Sequence, residues 1–309
     1  MSGGRWKVGL QAAASVVLFA LAVKVAQPDR LVQAVRQARG GYLALSVALV
    51  PALIALRTLR WHILSRTRRP EMRFRESVHS YMAGLTLATV SIQAAELARG
   101  AYAAPDDKAG FMGLTLLDKI IDVATLYLFA SAGLVLMLPG WQRAIGPAAA
   151  AAACAGWFAA GRLAAVMERR LPKSRITNAV GRALAAMRQV PKGVLAVAFL
   201  VAVSNLALYY FHLYLITYAF SPEIEVKAIG LFPWITLNRV IPSIGGVGVR
   251  EFIASALFAG GRYKVSSAAA VNASLVQFVT LNVAPVVVWL AAAGGFSRMA
   301  GRRSGGKRD

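Results

Sequence analysis

From Asn238 to Glu251 the chain reads Asn-Arg-Val-Ile-Pro-Ser-Ile-Gly-Gly-Val-Gly-Val-Arg-Glu, and this segment interrupts an apolar part of the sequence. Pro242 cannot continue the hydrogen-bond ladder of a helix, and glycine permits positive φ angles that other residues resist. Such a break releases backbone N–H and C=O groups, which are tolerated at membrane depth only where protein or a water-filled cavity covers them. We therefore predict a broken helix inside a membrane protein, with freed N–H groups near Arg250 that can bind an anionic group. The candidate binding residues of this segment are Asn238, Pro242, Ser243, Gly245, Gly246, Gly248, Arg250 and Glu251.

Two other interpretations start from the same residues. A plain loop at the membrane surface would also tolerate the proline and the glycines. A dinucleotide-binding glycine motif requires a preceding strand and a surrounding βαβ unit, and neither is predicted here. The broken helix and the surface loop stay open, whereas the nucleotide site is disfavoured.

The composition supports membrane insertion. The chain has 309 residues, of which 58% are apolar and 16% are charged, whereas soluble domains carry about 25% charged residues. A hydrocarbon core of about 30 Å requires about 20 helical residues per crossing. No alternating barrel pattern is present, so we predict helical spans.

Nine apolar segments can be distinguished. The strong ones are roughly Val8–Ala26, Gly41–Leu56, Gly113–Leu138, Ala148–Val166, Val194–Phe220, Ile229–Ile241 and Ala268–Gly294; the weaker ones are Val78–Ala95 and Phe252–Gly260. The first follows Arg5 and Lys7, so it is either a retained anchor or a cleaved signal peptide.

The net charge of +22 would suit nucleic-acid binding, but the basic residues flank apolar spans. Basic flanks of this kind mark cytoplasmic loops. Residues 57–75, residues 169–192 and the tail 298–309 are rich in arginine and lysine, so we place them in the cytoplasm. The loop with Glu223 and Glu225 lies outside, and residues 28–39 form an amphipathic helix at the interface. We predict a multi-pass protein of the bacterial inner membrane with both termini cytoplasmic and no nucleic-acid partner.

Parity between the basic loops defines the topology. An even number of crossings must separate the cytoplasmic loops 57–75 and 169–192, and Gly113–Leu138 and Ala148–Val166 already supply two. Val78–Ala95 therefore enters from the cytoplasm and returns to it. By the same count, 229–260 enters from outside and returns outside. The predicted fold is an all-α integral membrane protein with about six full transmembrane helices and two oppositely oriented re-entrant hairpins. Residues 1–309 then form a single transmembrane domain whose halves, 1–140 and 141–297, make a possible inverted repeat; residues 298–309 are a basic cytoplasmic tail.

Charged residues also occur inside apolar segments. Glu96 and Arg99 can meet on one helical face. Asp118 and Asp122 share a face, and Lys119 is spaced to pair with Asp122. Ionisable groups inside the membrane are energetically costly unless they are paired or hydrated, which favours a functional role for these residues. An interfacial salt bridge for the first pair and a structural ion pair for the second group remain the alternatives.

Arg57 and Arg60 end the second predicted span beside Trp61. Arginine suits bidentate phosphate contacts, although basic flanking alone also explains both residues. The three histidines have no metal-ligand spacing, and no nucleophile elbow, P-loop or zincin motif occurs. We therefore expect no enzyme activity, no metal and no cofactor.

Four motifs together resemble the lysylphosphatidylglycerol synthase transmembrane, or flippase-like, family. They are Arg57-x-x-Arg60-Trp61, Glu96-x-x-Arg99, Asp118-Lys119-x-x-Asp122 and the proline-glycine segment that ends at Arg250-Glu251. The sequence departs from the family where no proline or glycine immediately precedes Glu96 and where a glutamate-arginine pair is replaced by Asp118-Lys119. The resemblance implies the lipid-translocating portion alone, without a transferase domain.

The resulting hypothesis is translocation of a phosphate-bearing lipid head group between leaflets. Arg57, Arg60, Arg99 and Arg250 would hold the phosphate, and the nearby carboxylates would balance charge, contact a cationic head group or carry protons. The lipid could be an anionic phospholipid, an aminoacylated lipid or a polyprenyl-phosphate-linked lipid. A non-transporting partner or regulator of a lipid-modifying enzyme is the main alternative, and an intramembrane transferase is a third.

Overall fold

A computed structural model describes most of the chain. The described residues are 20–21, 24, 27–88, 99–100, 102–103, 106–137, 140–144, 146–148, 151, 175–236 and 248–293. Within these ranges the regular elements are helices and no strand occurs, which confirms the all-α prediction for this part of the chain. The predicted segments Val8–Ala26 and Ala148–Val166 lie almost entirely outside the described residues.

The longer helices follow one another along the chain. They are α1 (Pro28–Gln37), α2 (Gly40–Ser65), α3 (Phe74–Ala88), α4 (Lys108–Met137), α5 (Arg175–Arg188), α6 (Lys192–Phe220), α7 (Val249–Leu257), α8 (Ser267–Phe278) and α9 (Ala284–Ala293). Shorter 3₁₀ segments are Gly140–Ala144, Val226–Leu231 and Ala259–Lys264, and a four-residue helix covers Phe232–Ile235.

Four helical runs of the described chain are long and apolar enough to cross a membrane. They are α2, α4, α6 and the run Ser267–Ala292, which joins α8 to α9. The protein is therefore a multi-pass membrane protein. One boundary predicted from sequence is wrong: α2 continues to Ser65 instead of stopping at Leu56, because the buried Arg60 is neutralised by carboxylates of α4.

Helices α2 and α6 form an antiparallel pair at the centre of the described structure. Near the start of α2, the N–H of Arg39 donates to the carbonyl of Ala219 at the end of α6, at 2.9 Å. Halfway along, the Asn205 side chain donates to the carbonyl of Leu53 at 3.1 Å. Leu53 and Asn205 each lie thirteen residues after the first residue of their helix, so equivalent positions meet where the two helices cross.

The spanning helices connect two ends of the molecule. The basic end, where α2 finishes and α4 begins, is joined by Arg68, whose Nε donates to Asp107 at 2.6 Å and whose Nη1 donates to Gln189 at 3.3 Å. The acidic end, where α6 finishes, carries Glu223 and Glu225. The N–H of Glu225 donates to the carbonyl of Tyr263 at 3.1 Å, so the turns that follow α6 and precede α8 lie together.

Helix α3 leaves the basic end, and the described part of the following segment lies beside it. Arg69 donates to the carbonyl of Ala103 at 3.1 Å. Ser80, in the second turn of α3, donates to the carbonyl of Arg99 at 2.8 Å. The two described arms of this segment therefore lie side by side, and residues 89–98 between them are outside the described part.

The last long run is interrupted near its centre. Val279–Val283 forms one π-helical segment, and Pro285 follows it. Proline has no N–H and its ring clashes with the carbonyl four residues earlier, so a widened turn before Pro285 relieves both problems. Trp289, beyond the break, donates to His79 of α3 at 3.1 Å and ties α9 to α3.

Helix α1 is amphipathic, as predicted, and has no buried residue. It lies near the acidic end, where the Asn272 side chain of α8 donates to the carbonyl of Leu31 at 3.0 Å. Its exposed Val32 and Val35 agree with the apolar face that the sequence predicts for this helix.

Candidate functional site

A buried group of opposite charges joins α2, α4 and the segment that follows α3. We define it as the arginine–aspartate cluster, formed by Arg60, Arg99, Asp118 and Asp122. Arg60 Nε lies 2.6 Å from Asp118 Oδ1, and Arg60 Nη1 lies 2.6 Å from Asp122 Oδ1. Arg99 Nη1 lies 2.8 Å from the other oxygen of Asp118. Asp118 therefore bridges two arginines from different parts of the chain.

Burial makes this pairing necessary. Asp118 is 1% exposed, and Arg60 and Arg99 are each 5% exposed. An isolated charge at such a position would cost several kcal/mol, and close counter-charges offset part of that cost. The arrangement therefore allows three ionised groups to remain inside an apolar helix bundle.

Aromatic and hydroxyl groups hold Arg99 in place. Its guanidinium carbon lies 3.8 Å from the ring centroid of Trp61 and 5.4 Å from that of Tyr81, and stacking of this kind is favourable for arginine. Trp61 Nε1 donates to Ser80 Oγ at 3.1 Å, and Ser80 in turn donates to the Arg99 carbonyl. The side chain and backbone of Arg99 are thus both anchored.

Arg99 nevertheless keeps spare donors. Its Nε and Nη2 are buried, and neither has a hydrogen-bond partner among the described residues. Buried guanidinium N–H groups without acceptors are costly, and an anion with several oxygens would satisfy both. The cluster can therefore accept a phosphate or carboxylate at Arg99.

Lys119 extends the cluster towards a more exposed face. Its Nζ lies 3.9 Å from Asp122 Oδ2, and the two side chains are 41% and 24% exposed. This is the three-residue pairing that the sequence predicts. With Arg60 and Arg99, three cations surround the two carboxylates of Asp118 and Asp122, so the five groups carry an excess positive charge.

Arg57 belongs to a different set of contacts. Its Nε donates to Asn205 Oδ1 at 3.3 Å, and its guanidinium carbon lies 5.7 Å from the ring centroid of Tyr209. Arg57 and Arg60, which the sequence pairs as neighbours on one helix, thus contact different helices. The structure brings Arg60, but not Arg57, to the aspartates.

A second buried ionic group occupies the start of α7. We define it as the arginine–glutamate cluster, formed by Gly248, Arg250, Glu251 and Ser274. Glu251 is fully buried; its Oε1 accepts from Arg250 Nη2 at 2.7 Å and from Ser274 Oγ at 2.9 Å. Arg250 Nε donates to Ser274 at 2.6 Å, so α7 and α8 are joined by a closed polar network.

Gly248 completes this network through its backbone. Its φ angle is +84°, a conformation that side-chain-bearing residues rarely adopt. The turn directs its N–H to Glu251 Oε2 at 2.7 Å. Glu251 therefore accepts a hydrogen bond from one of the backbone N–H groups near Arg250 that were predicted from the sequence to bind an external anion.

Several predicted site residues lie outside the described part of the chain. They are Glu96, Asn238, Pro242, Ser243, Gly245 and Gly246. The predicted pairing of Glu96 with Arg99 is therefore untested, and the described partner of Arg99 is Asp118. Ser80, Asn205 and Ser274 were not among the predicted site residues. The only sequence feature that could have indicated them is a hydroxyl or amide group inside an apolar helix.

Within the described ranges, no group of three His, Cys, Asp or Glu side chains could hold a metal ion. The described part of the site consists of ion pairs, hydroxyls and aromatic rings.

Most of the sequence matches a known protein family. The family model described as lysylphosphatidylglycerol synthase TM region matches residues 8–288. A search of curated proteins found no match. The family match includes both buried clusters.

Proposed function

The chain belongs to the lysylphosphatidylglycerol synthase transmembrane family, and on that basis we propose that it translocates a phosphate-bearing lipid head group between membrane leaflets without catalysing a covalent reaction. Membership supports a membrane protein concerned with lipid modification or translocation. Translocation itself is the proposal, and the arginine–aspartate cluster is the place where we expect the head group to bind.

One observation carries the proposal. Arg99 is 5% exposed, stacks on Trp61 and keeps Nε and Nη2 without a hydrogen-bond partner among the described residues. Arginine presents its N–H groups in a planar fork that matches phosphate oxygens. A phosphate would therefore gain two charge-assisted hydrogen bonds without breaking the contact between Arg99 and Asp118.

The path of the chain supports an inverted repeat. The segment 74–103 leaves the basic end and has its two described arms together, as a re-entrant hairpin requires. The described residues 226–236 and 248–257 lie near the acidic end, since α7 begins beside Ser274 and is followed by the turn that contacts Glu225. Broken helices that meet inside the membrane from opposite sides are the usual binding architecture of secondary transporters.

Orientation and substrate follow from charge. The basic end is assigned to the cytoplasm of a bacterial inner membrane by its arginines, and both termini are assigned to the same side. Among the described residues, the cluster and Lys119 together place three cations beside two carboxylates. This excess of positive charge suits an anionic phospholipid, an aminoacylated lipid or a polyprenyl-phosphate-linked lipid. All three share the phosphate that Arg99 would contact.

A second candidate function is favoured by one feature. Arg60 lies within ion-pair distance of both Asp118 and Asp122, as expected of an ion pair that only fixes the packing of α2 against α4. A non-transporting partner or regulator of a lipid-modifying enzyme would need no more than this. The two functions differ in what Arg99 does.

Reconstitution into vesicles tests the proposal. Vesicles containing a fluorescent anionic phospholipid would be assayed for movement of the label between leaflets, with wild-type protein and with Arg99→Gln. We expect wild-type protein to accelerate movement above empty vesicles and Arg99→Gln to reduce the rate at least tenfold, because a charge-assisted contact contributes about 1.5–3 kcal/mol.

Arg30→Gln is the matched control, because Arg30 is an exposed arginine of α1 outside both clusters. Its rate should equal that of the wild type. Wild-type rates equal to those of empty vesicles, across anionic and aminoacylated lipids, would refute translocation. Equal rates for wild type and Arg99→Gln would refute the assigned role of Arg99 and favour the non-transporting partner.

A further inference from the structure

Among the described residues of the second half, two buried polar side chains have no hydrogen-bond partner. His212 on α6 is fully buried, and neither ring nitrogen has a hydrogen-bond partner among the described residues. Gln277 on α8 is 1% exposed, and both atoms of its amide also lack partners there. Buried polar atoms of this kind each cost free energy, so four of them in one half of the molecule require an explanation.

The helix registers connect these residues to the arginine–aspartate cluster. Arg60 and His212 each lie twenty residues after the first residue of α2 and α6, respectively. Asp118 and Gln277 each lie ten residues after the first residue of α4 and α8. In an inverted repeat, His212 and Gln277 are therefore the counterparts of Arg60 and Asp118, whose side chains are 2.6 Å apart.

The packing of α6 against α8 agrees with this correspondence. Tyr209 and Leu213 of α6 share one apolar core with Ala269 and Ala273 of α8. His212 lies eight residues before the end of α6, about 12 Å from the acidic end at 1.5 Å per residue. Gln277 lies about 15 Å from the same end by the same measure. The two side chains are thus at similar depths on helices that touch.

Charge distinguishes this position from the arginine–aspartate cluster. Neutral histidine and glutamine each offer one hydrogen-bond donor group and one acceptor, whereas the arginine–aspartate cluster and Lys119 together place three cations beside two carboxylates. In the neighbouring arginine–glutamate cluster, Arg250 and Glu251 neutralise one another. The cation that acts on His212 is Arg57, which donates to Asn205. His212 and Gln277 themselves suit an uncharged group that both donates and accepts hydrogen bonds.

We propose that His212 and Gln277 form a neutral polar site that binds the hydroxyl groups of a lipid head group. The site rests on the proposed function, because it would hold the part of the head group that the arginine–aspartate cluster does not contact. It makes the protein selective for hydroxyl-bearing head groups over a bare phosphate.

Lipid binding tests this selectivity without requiring translocation. Purified full-length protein in detergent would be titrated with phosphatidylglycerol, whose head group carries two hydroxyls, and with phosphatidic acid of the same acyl chains, which has none. Native mass spectrometry gives the ratio of the two affinities. Because the two phosphates ionise differently, the ratio is compared between variants and not taken by itself.

His212→Phe and Gln277→Leu should each lower the ratio of phosphatidylglycerol to phosphatidic acid binding about fivefold, the effect of one hydrogen bond. His212→Gln keeps a donor and an acceptor and should retain most of the ratio. Asn282→Leu is the matched control, since the Asn282 amide donates to the carbonyl of Phe278 in its own helical run; its ratio should stay at the wild-type value.

Lipid-free His212→Phe protein should unfold at or above the wild-type temperature, because the substitution removes buried atoms that lack partners. A ratio that stays constant in both His212→Phe and Gln277→Leu would overturn the proposal, as would an equal loss of both lipids or a large fall in unfolding temperature. If the vesicle assay shows no translocation but the ratios of phosphatidylglycerol to phosphatidic acid binding change as expected, the result would count against translocation alone.

Discussion

Neutralising Asp118 should destabilise the protein through the arginines that it bridges. In Asp118→Asn, Arg60 keeps Asp122 at 2.6 Å, whereas Arg99 loses the carboxylate at 2.8 Å that is its described ion-pair partner. Removing one member of a buried ion pair costs about 3–5 kcal/mol. Because Arg60 remains paired, we expect the lower value, about 3 kcal/mol.

The assay is thermal unfolding of purified protein in detergent, followed by circular dichroism. An unfolding entropy of about 2.1 cal/mol/K per residue makes 1 kcal/mol correspond to about 1.5 °C for a chain of this length, so Asp118→Asn should lower the unfolding temperature by about 5 °C. The double variant Arg99→Gln with Asp118→Asn should recover part of that loss, since it removes the unpaired charge as well. Asp106→Asn, at an exposed position next to the start of α4, is the control and should change little.

A fall of less than about 1.5 °C for Asp118→Asn would refute this reasoning, since it would correspond to about 1 kcal/mol or less. A double variant as unstable as the sum of the two single variants would also contradict it. Additive effects would mean that Arg99 and Asp118 do not stabilise each other.

Three further substitutions test other contacts by the same unfolding assay. Glu251→Gln should cost about 3–5 kcal/mol, because it leaves Arg250 buried without its counter-charge, whereas Glu223→Gln at an exposed position should be neutral. Gly113→Ala should cost about 1–3 kcal/mol, since a Cβ there would collide with the backbone of Ala183. Its control is Gly193→Ala, which should be neutral or stabilising because a Cβ there meets nothing within 4 Å. Arg68→Ala should cost at most about 1 kcal/mol, because Arg68 and Asp107 are 27% and 38% exposed, and a loss that exceeds this at high salt would contradict the assignment of a screened surface pair.

Hydropathy predicts the long helices well, because membrane thickness imposes a minimum length on each span. It fails at the end of α2. The predicted apolar segment stops at Leu56, since Arg57 and Arg60 each count as a charge, yet α2 continues through both to Ser65. The aspartates that make Arg60 tolerable lie about sixty positions further along the chain, where no local pattern can register them.

The candidate site shows the same division between local and distant information. The contact of Lys119 with Asp122 follows from helical spacing and was predictable. The contact of Arg99 with Asp118 joins two segments across the turn that precedes α4 and was not. His212 and Gln277 gave no signal at all, because a single polar residue in an apolar helix has the same pattern whether it is satisfied or left without a partner.

The two buried clusters would treat an arriving anion differently. At the arginine–aspartate cluster, Nε and Nη2 of Arg99 are free of hydrogen bonds to the described residues, so a phosphate can bind while Asp118 stays in place. At the arginine–glutamate cluster, Nε and Nη2 of Arg250 are already engaged by Ser274 and Glu251, so a phosphate that binds these two nitrogen atoms must displace a fully buried carboxylate. Desolvation and charge repulsion oppose that displacement. Under the proposed function we therefore expect a phosphate to bind at Arg99, and we expect the arginine–glutamate cluster to stabilise the packing of α7 against α8.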